Sequence, residues 1–264
     1  MTEWGDPAQP TVLLVHGFPD TSAAWLPVAE LLADRYHTVA YDVRGAGRSS
    51  APSRTRDYRL ELLVADLNAV IDATSPTRPV HLVGHDWGAN NGWLAAAHRP
   101  DLVRTWTAIS VPHPAAFRTA MFSTRQAFSS WYMGAFQVPR VPERVAAKPG
   151  GRFDKGLRRA GMTREDVDRF HREVVEYGAL PGGLNWYRAM PFTQQRAITD
   201  KVQVPTTMLW SDGDTAINRV SIDRCAEHVT GPYELRVLEG ASHWLPAQEP
   251  QAVADAVLSR IGSG

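Results

Sequence analysis

The pentapeptide Gly84-His85-Asp86-Trp87-Gly88 constrains the fold of this chain more than any other feature. The apolar run from Pro79 to Val83 before it is typical of a buried strand, and the small residues from Ala89 to Ala97 after it indicate a helix. A glycine two places on either side of Asp86 permits a sharp turn that lifts the central side chain out of the sheet. The pattern therefore predicts that a carboxylate is presented at the end of a strand.

Strand-like and helix-like segments alternate along most of the chain. The predicted strands are Thr11–Val15, Thr38–Tyr41, Pro79–Val83, Val103–Val111, Val204–Trp210 and Leu235–Leu238, and the clearest helices are Leu60–Ile71, Ala89–His98 and Gln251–Ile261. This alternation predicts an α/β fold with a mostly parallel sheet and helices on both faces. Sites in such sheets form beyond the carboxyl ends of the strands, where His16, Asp42 and Asp86 are placed.

The alternation stops between residues 115 and 198, where the sequence is rich in aromatic residues and helical in pattern. We predict a core of residues 1–114 and 199–264 and an inserted helical cap of residues 115–198. The basic residues of the cap are predicted to form a solvated outer face. They are Arg140, Arg144, Lys148, Arg152, Lys155, Arg158 and Arg159.

Composition excludes several classes of function. Lys plus Arg equals Asp plus Glu at 28 each, which argues against nucleic-acid or membrane partners. The chain contains no run of about 18 apolar residues and no secretory signal pattern, and its lone cysteine, Cys225, fits a reducing compartment. We therefore expect a soluble cytoplasmic protein, with a homodimer among the open oligomeric states.

The glycine-containing segment from Asp42 to Ser49 resembles the start of a dinucleotide fingerprint. Ser50 stands where the sixth position of that fingerprint requires glycine or alanine. We interpret the segment as a structural loop and expect neither a cofactor nor a metal.

Two later loops hold candidates for an orienting acid and a base. Asp212 and Asp214 follow the strand that ends at Trp210, and His243 follows the strand that ends at Leu238. The chain order of nucleophile, acid and histidine suits a triad with Asp86 as nucleophile. We favour Asp214 as the acid, because Asp212 before Gly213 is typical of a turn residue.

The loop His16-Gly17-Phe18-Pro19 follows the strand that ends at Val15. With the residue after the nucleophile, a loop of this kind supplies backbone N–H groups to an oxyanion hole. We therefore predict that the Phe18 and Trp87 amides form this hole.

At these residues the chain resembles the α/β-hydrolase family, in particular its epoxide hydrolase branch. The segment from Ser110 to Pro114 is also similar to that branch, and Trp131–Pro139 and Leu184–Arg188 resemble the segments that carry two cap tyrosines. The resemblance implies that Tyr132 and Tyr187 hold and protonate an epoxide oxygen. It implies attack by Asp86, water activation by His243, and a vicinal diol as product.

The cap is rich in Phe, Trp and Met, so we expect an apolar pocket for a small epoxide. We predict that His16, Trp87, Pro112, Trp186 and Trp244 line it. The resemblance also implies a hairpin of two strands before the His16 loop. Only about ten residues precede Thr11, and Thr2–Gly5 resembles the end of the second strand, so we expect the first strand to be absent.

Two other functions remain open at this stage. A haloalkane dehalogenase shares an aspartate nucleophile followed by tryptophan, although such enzymes often carry asparagine where this chain has Phe18 and lack the tyrosine pair. A non-catalytic binding module on the same fold is the more remote alternative.

Overall fold

The computed structural model describes residues 1–123, 126–194 and 198–263. Seven strands form one sheet in the order β1-β3-β2-β4-β5-β6-β7. They are β1 (Thr2–Trp4), β2 (Thr11–Val15), β3 (His37–Tyr41), β4 (Val80–His85), β5 (Val103–Ile109), β6 (Thr206–Ser211) and β7 (Tyr233–Leu238). All neighbouring pairs are parallel except β1 with β3, so the predicted mostly parallel sheet is confirmed.

The helices connect these strands and fill the interval between β5 and β6. Those of the first part of the chain are α1 (Leu26–Leu32), α2 (Leu60–Thr74) and α3 (Trp87–His98). Those between β5 and β6 are α4 (Pro114–Ser123), α5 (Gln126–Ser129), α6 (Trp131–Ala135), α7 (Val141–Ala146), α8 (Arg152–Arg159), α9 (Arg164–Phe170) and α10 (Leu180–Ala189). The last are α11 (Arg219–Asp223), α12 (Leu245–Gln248) and α13 (Pro250–Gly262).

The sheet is buried on both faces because successive residues of a strand point to opposite sides. In β2, Val12 and Leu14 join the apolar cluster under α1 and α13, whereas Leu13 and Val15 join the cluster with α2 and α3. A strand covered on both faces reads as a continuous apolar run, which is why β2 and β4 are clear in the sequence.

The short strand β1 forms one edge of the sheet, antiparallel to β3. Glu3 in β1 pairs with His37 in β3 through a 2.8 Å contact between Oε2 and Nε2. Among the residues that the structure describes, no further strand flanks β1, and the strand expected at Thr2–Gly5 is present.

The described residues between β5 and β6 contain helices and turns and no strand. We call residues 114–192 the helical insertion. The limits predicted for the cap, 115 and 198, stay a prediction. All seven basic residues predicted to face solvent are exposed. Within the described ranges, no helix combines the length and apolar character needed to cross a membrane.

Candidate active site

Asp86 occupies the turn between β4 and α3 in a strained backbone conformation. Its φ of 52° and ψ of −118° lie in a region that side chains with a Cβ rarely adopt. Gly88, two residues later, allows α3 to approach β2 closely. A Cβ on Gly88 would lie 2.0 Å from the Val15 carbonyl oxygen. This backbone conformation places the Asp86 carboxylate beyond the carboxyl end of the sheet.

His243 lies between two carboxylates. Its Nδ1 is 2.7 Å from Oδ2 of Asp214, and its Nε2 is 3.7 Å from Oδ2 of Asp86. The other oxygen of Asp214, Oδ1, accepts hydrogen bonds from the Ala216 and Ile217 amides at 2.7 and 3.0 Å. The structure therefore brings Asp214 to the histidine and holds its carboxylate in a fixed orientation.

Asp212, the competing acid, lies in the turn next to this site. Its Oδ1 accepts a 2.7 Å hydrogen bond from the Gly240 amide, which ties the loop after β6 to the loop after β7. This is the turn role that the sequence favoured for Asp212.

The pKa values of the site follow from this pairing. Burial alone lowers the pKa of His243, but the charges of Asp214 and Asp86 outweigh burial and raise it to about 10. Burial raises the pKa of Asp86, whereas the neighbouring His243 and the Phe18 amide lower it by more, so the net shift is downward. The pairing therefore favours the ionised form of Asp86 and the protonated form of His243.

Two polar side chains hold the backbone of His243. Nε2 of His85 donates to the His243 carbonyl oxygen at 2.9 Å, and the hydroxyl of Ser110 donates to the same oxygen at 2.8 Å. Sequence reasoning missed both residues. His85 lies just after one predicted strand and Ser110 lies at the end of another. The neighbouring sequence does not indicate that both side chains bind the same carbonyl oxygen.

One predicted oxyanion-hole donor is in contact with the candidate nucleophile. The Phe18 amide donates to Oδ1 of Asp86 at 2.7 Å. Trp87 is the first residue of α3, next to Asp86, and the role of its amide stays a prediction.

Tyr132 and Tyr187 face Asp86 from the helical insertion. Their ring centroids are 6.1 Å apart, and together with Asp86 they line a cavity of about 300 Å³. Burial and the charge of Asp86 raise the pKa of both phenols, so both keep their protons at neutral pH. The site thus brings two protonated phenols and a carboxyl of lowered pKa to the same cavity.

The rest of the cavity is mainly apolar. Its apolar lining residues are Leu60, Trp87, Val111, Pro114, Phe117, Met121, Phe122, Met133, Met190, Ile198 and Ile217, and its other polar lining residues are Asn90, Arg118 and Thr193. Phe122 is 88% exposed, which places one end of the cavity at the surface.

Of the residues predicted for the pocket, Trp87 lines this cavity, whereas His16, Pro112, Trp186 and Trp244 do not. The assignment of those four residues to the substrate pocket stays a prediction. Both ring nitrogens of His16 are engaged by the backbone, because its Nδ1–H donates to the Gly17 carbonyl at 2.9 Å and its Nε2 accepts from the Val43 amide at 3.0 Å.

The other three residues also pack or hydrogen-bond outside this cavity. The indole of Trp186 donates to the Arg44 carbonyl at 2.8 Å and, one position before Tyr187 on α10, points about 100° away from it. Trp244 packs edge-on against His243, with ring centroids 5.0 Å apart. Pro112 is buried where β5 leads into α4, and Pro114 lines the cavity instead.

The insertion also contacts the loops that carry the candidate triad. The buried side chain of Gln126 donates to the Ala216 carbonyl at 2.7 Å and accepts from the Asn218 amide at 2.8 Å, beside Asp214. Gln248, the last residue of α12, donates to the carbonyl of Gly161 and accepts a hydrogen bond from the hydroxyl of Ser242, the residue before His243. These contacts join both loops to the insertion.

The comparisons with known proteins agree with this geometry. A family model described as the alpha/beta hydrolase fold matches residues 10–250. The chain belongs to the α/β-hydrolase family, within its epoxide hydrolase branch. It is 35% identical to epoxide hydrolase 3 of Xenopus tropicalis over 260 residues, which cover 94% of this chain and 70% of that protein.

Further relatives cover more of their own length. The chain is 32% identical to epoxide hydrolase A of Mycobacterium tuberculosis over 98% of this chain and 92% of that protein. The crystal structure of the Bacillus megaterium epoxide hydrolase in complex with an inhibitor superimposes with a TM-score of 0.86 at 27% identity. That superposition covers 99% of this chain and 95% of the other.

Proposed function

We propose that this chain hydrolyses small apolar epoxides to vicinal diols through a covalent ester on Asp86. The observation that carries the proposal is that Asp86 of the sheet and Tyr132 and Tyr187 of the helical insertion line one cavity. The names of the relatives, which include epoxide hydrolases of a frog and a bacterium, support the same reaction.

In the first step, Oδ2 of Asp86 attacks an epoxide carbon from the side opposite the breaking C–O bond. The epoxide oxygen gains negative charge as that bond breaks, and it takes a proton from the phenol of Tyr132 or Tyr187. The products of the step are a hydroxyalkyl ester on Asp86 and a phenolate.

Ester formation prepares the base for the second step. It removes the negative charge of Asp86, one of the two carboxylates that raise the pKa of His243. His243 then releases its proton and the phenolate regains one. The neutral imidazole, still hydrogen-bonded to Asp214, can accept a proton from water.

In the second step, a water oxygen bonds to Cγ of Asp86 while His243 takes one of its protons. The developing oxyanion at Oδ1 is stabilised by the Phe18 amide, with the Trp87 amide as the predicted second donor. The bond from Cγ to the ester oxygen then breaks, and the departing oxygen takes the proton from His243, which releases the diol and leaves Asp86 as a carboxylic acid. Transfer of that acid's proton to the neutral His243 restores the ionised Asp86 and the protonated His243.

The test is to trap the ester. The variant His243→Gln keeps Asp86 and both phenols but lacks the base, so it should form the ester and fail to hydrolyse it. After incubation with styrene oxide, mass spectrometry of the peptide containing Asp86 should show an adduct with the mass of the epoxide. The comparison uses a panel of styrene-type, aliphatic and fatty-acid epoxides. The proposal would be overturned if the variant formed no adduct and the wild type produced no diol with any of them.

The same assay separates the alternatives. A dehalogenase would release halide from haloalkanes and form no diol, and a binding module would form no ester. The site favours epoxides over haloalkanes, because two protonated phenols, Tyr132 and Tyr187, line the cavity with Asp86 and can donate to an epoxide oxygen.

A further inference from the structure

The loop that supplies the Phe18 amide is held in a short turn. The Asp20 amide donates to the Gly17 carbonyl at 3.0 Å, which closes the turn around Phe18 and Pro19. The contacts that hold Asp20 in place therefore also determine the position of Phe18.

The helical insertion fixes that end. Nη2 of Arg169, in α9, donates to Oδ1 of Asp20 at 3.0 Å, and only 9% of the Asp20 side chain and 18% of the Arg169 side chain are exposed. The next residue, Thr21, donates through its hydroxyl to Oε2 of Glu173 at 2.5 Å. Two successive residues of the core loop are thus bound to one segment of the insertion.

Arg169 is itself held in position within α9. Its Nη1 is 3.0 Å from Oδ1 of Asp166. Asp166 in turn accepts hydrogen bonds from the amide and hydroxyl of Thr163, at 3.0 and 2.7 Å, in the capping box that begins the helix. These contacts therefore orient the Arg169 guanidinium towards the core loop.

We propose that Arg169 is a positioning residue that holds the turn from Gly17 to Asp20 so that the Phe18 amide points at Oδ1 of Asp86. The kinetic part of this inference rests on the proposed function. The structural part, that Arg169 orders the turn, does not.

The two chemical steps depend differently on this amide. In the first step, a hydrogen bond from Phe18 stabilises the attacking carboxylate before reaction, so it gives little acceleration. In the second step, the same donor faces an oxygen whose negative charge grows, so it stabilises the transition state more than the ester. Loosening the turn should therefore slow ester hydrolysis more than ester formation.

The experiment compares Arg169→Met with Arg172→Met, which removes an exposed cation one helical turn further along the same segment. We expect faster amide hydrogen exchange in the peptide spanning residues 17–21 of Arg169→Met. We also expect hydrolysis of the styrene oxide ester to slow by about tenfold, below the roughly 10²–10³-fold cost of deleting an oxyanion donor. Ester formation should change less than threefold, and Arg172→Met should match the wild type in every measurement.

Asp20→Ala approaches the same pair from the core side. It should reproduce both effects, and the double variant with Arg169→Met should be no slower than Asp20→Ala alone. Arg169→Lys, which keeps a cation, should restore part of the hydrolysis rate. These two variants also keep the test decisive where Arg169→Met fails to fold.

The outcomes are distinct. The inference would be overturned if Arg169→Met and Asp20→Ala matched Arg172→Met in amide exchange or in ester hydrolysis. A change in one of these two measurements without a change in the other would also overturn it. A wild type that forms neither ester nor diol would overturn the proposed function instead, and the exchange measurement would still report whether Arg169 orders the turn.

Discussion

Nδ1 of His243 lies 2.7 Å from Oδ2 of Asp214, whose side chain is completely shielded from solvent. A buried carboxylate in this position selects the tautomer of the imidazole and stabilises the imidazolium that forms when water is deprotonated. The nearby Asp212 makes no such contact and bonds to the Gly240 amide instead.

Asp214→Asn should therefore lower kcat for diol formation by at least about a hundredfold. Asp212→Asn is the matched control, because it makes the same chemical change two residues away, and it should retain nearly full kcat. Steady-state diol formation at neutral pH measures both. Equal losses in the two variants would contradict the assignment of Asp214.

The raised pKa of His243 makes the stability of the fold depend on pH. Because the folded-state pKa, about 10, lies above the ordinary value of 6.5, the stabilising contribution is complete below about pH 6.5 and is lost as the pH rises towards 10. The melting temperature of the wild type should fall more between pH 6 and pH 10 than that of His243→Gln. Parallel pH profiles for the two proteins would contradict the raised pKa.

The two phenols should act in ester formation. Tyr132→Phe and Tyr187→Phe should each slow that step by about tenfold to a hundredfold, and the double variant by about 10²–10⁴-fold, because each substitution removes one proton donor from the opening epoxide. Tyr177→Phe, at a tyrosine of the insertion that is 57% exposed, is the control. Single-turnover measurements of ester formation distinguish this effect from slower ester hydrolysis.

Gly17 leaves space for the candidate nucleophile. A Cβ at this position would lie 2.3 Å from Oδ1 of Asp86, so Gly17→Ala should displace the carboxylate and lower kcat/KM by at least about a hundredfold. Gly156→Ala is the contrasting variant, because a Cβ there, within α8, meets no atom within 4 Å. It should retain activity and raise the free energy of unfolding by about 0.5–1 kcal/mol in urea denaturation.

The residues that the sequence located best lie at the ends of parallel strands. Asp86, Asp214 and His243 each follow a recognisable apolar run, and the sheet itself brings such ends together. The two tyrosines came from a resemblance between segments, since the pattern of a helical insertion does not indicate which face meets the core.

The residues that sequence reasoning missed act over long separations. Ser110 and His243 are 133 positions apart, and Asp20 and Arg169 are 149 positions apart. Which aromatic residue of a segment lines the cavity depends on rotation about a single helix or turn. Trp186 and Tyr187 are adjacent and both aromatic, so composition alone cannot choose between them.

The insertion supplies more than a wall for the cavity, because Gln126, Gly161 and Arg169 contact the segments that carry the candidate acid, the candidate base and the predicted oxyanion donor. Exchanging this segment for that of another enzyme, as a way to alter substrate preference, would therefore also disturb the reaction machinery beneath it. A functional chimera must carry these three anchor points across the junction, or the new selectivity will come with a slower turnover.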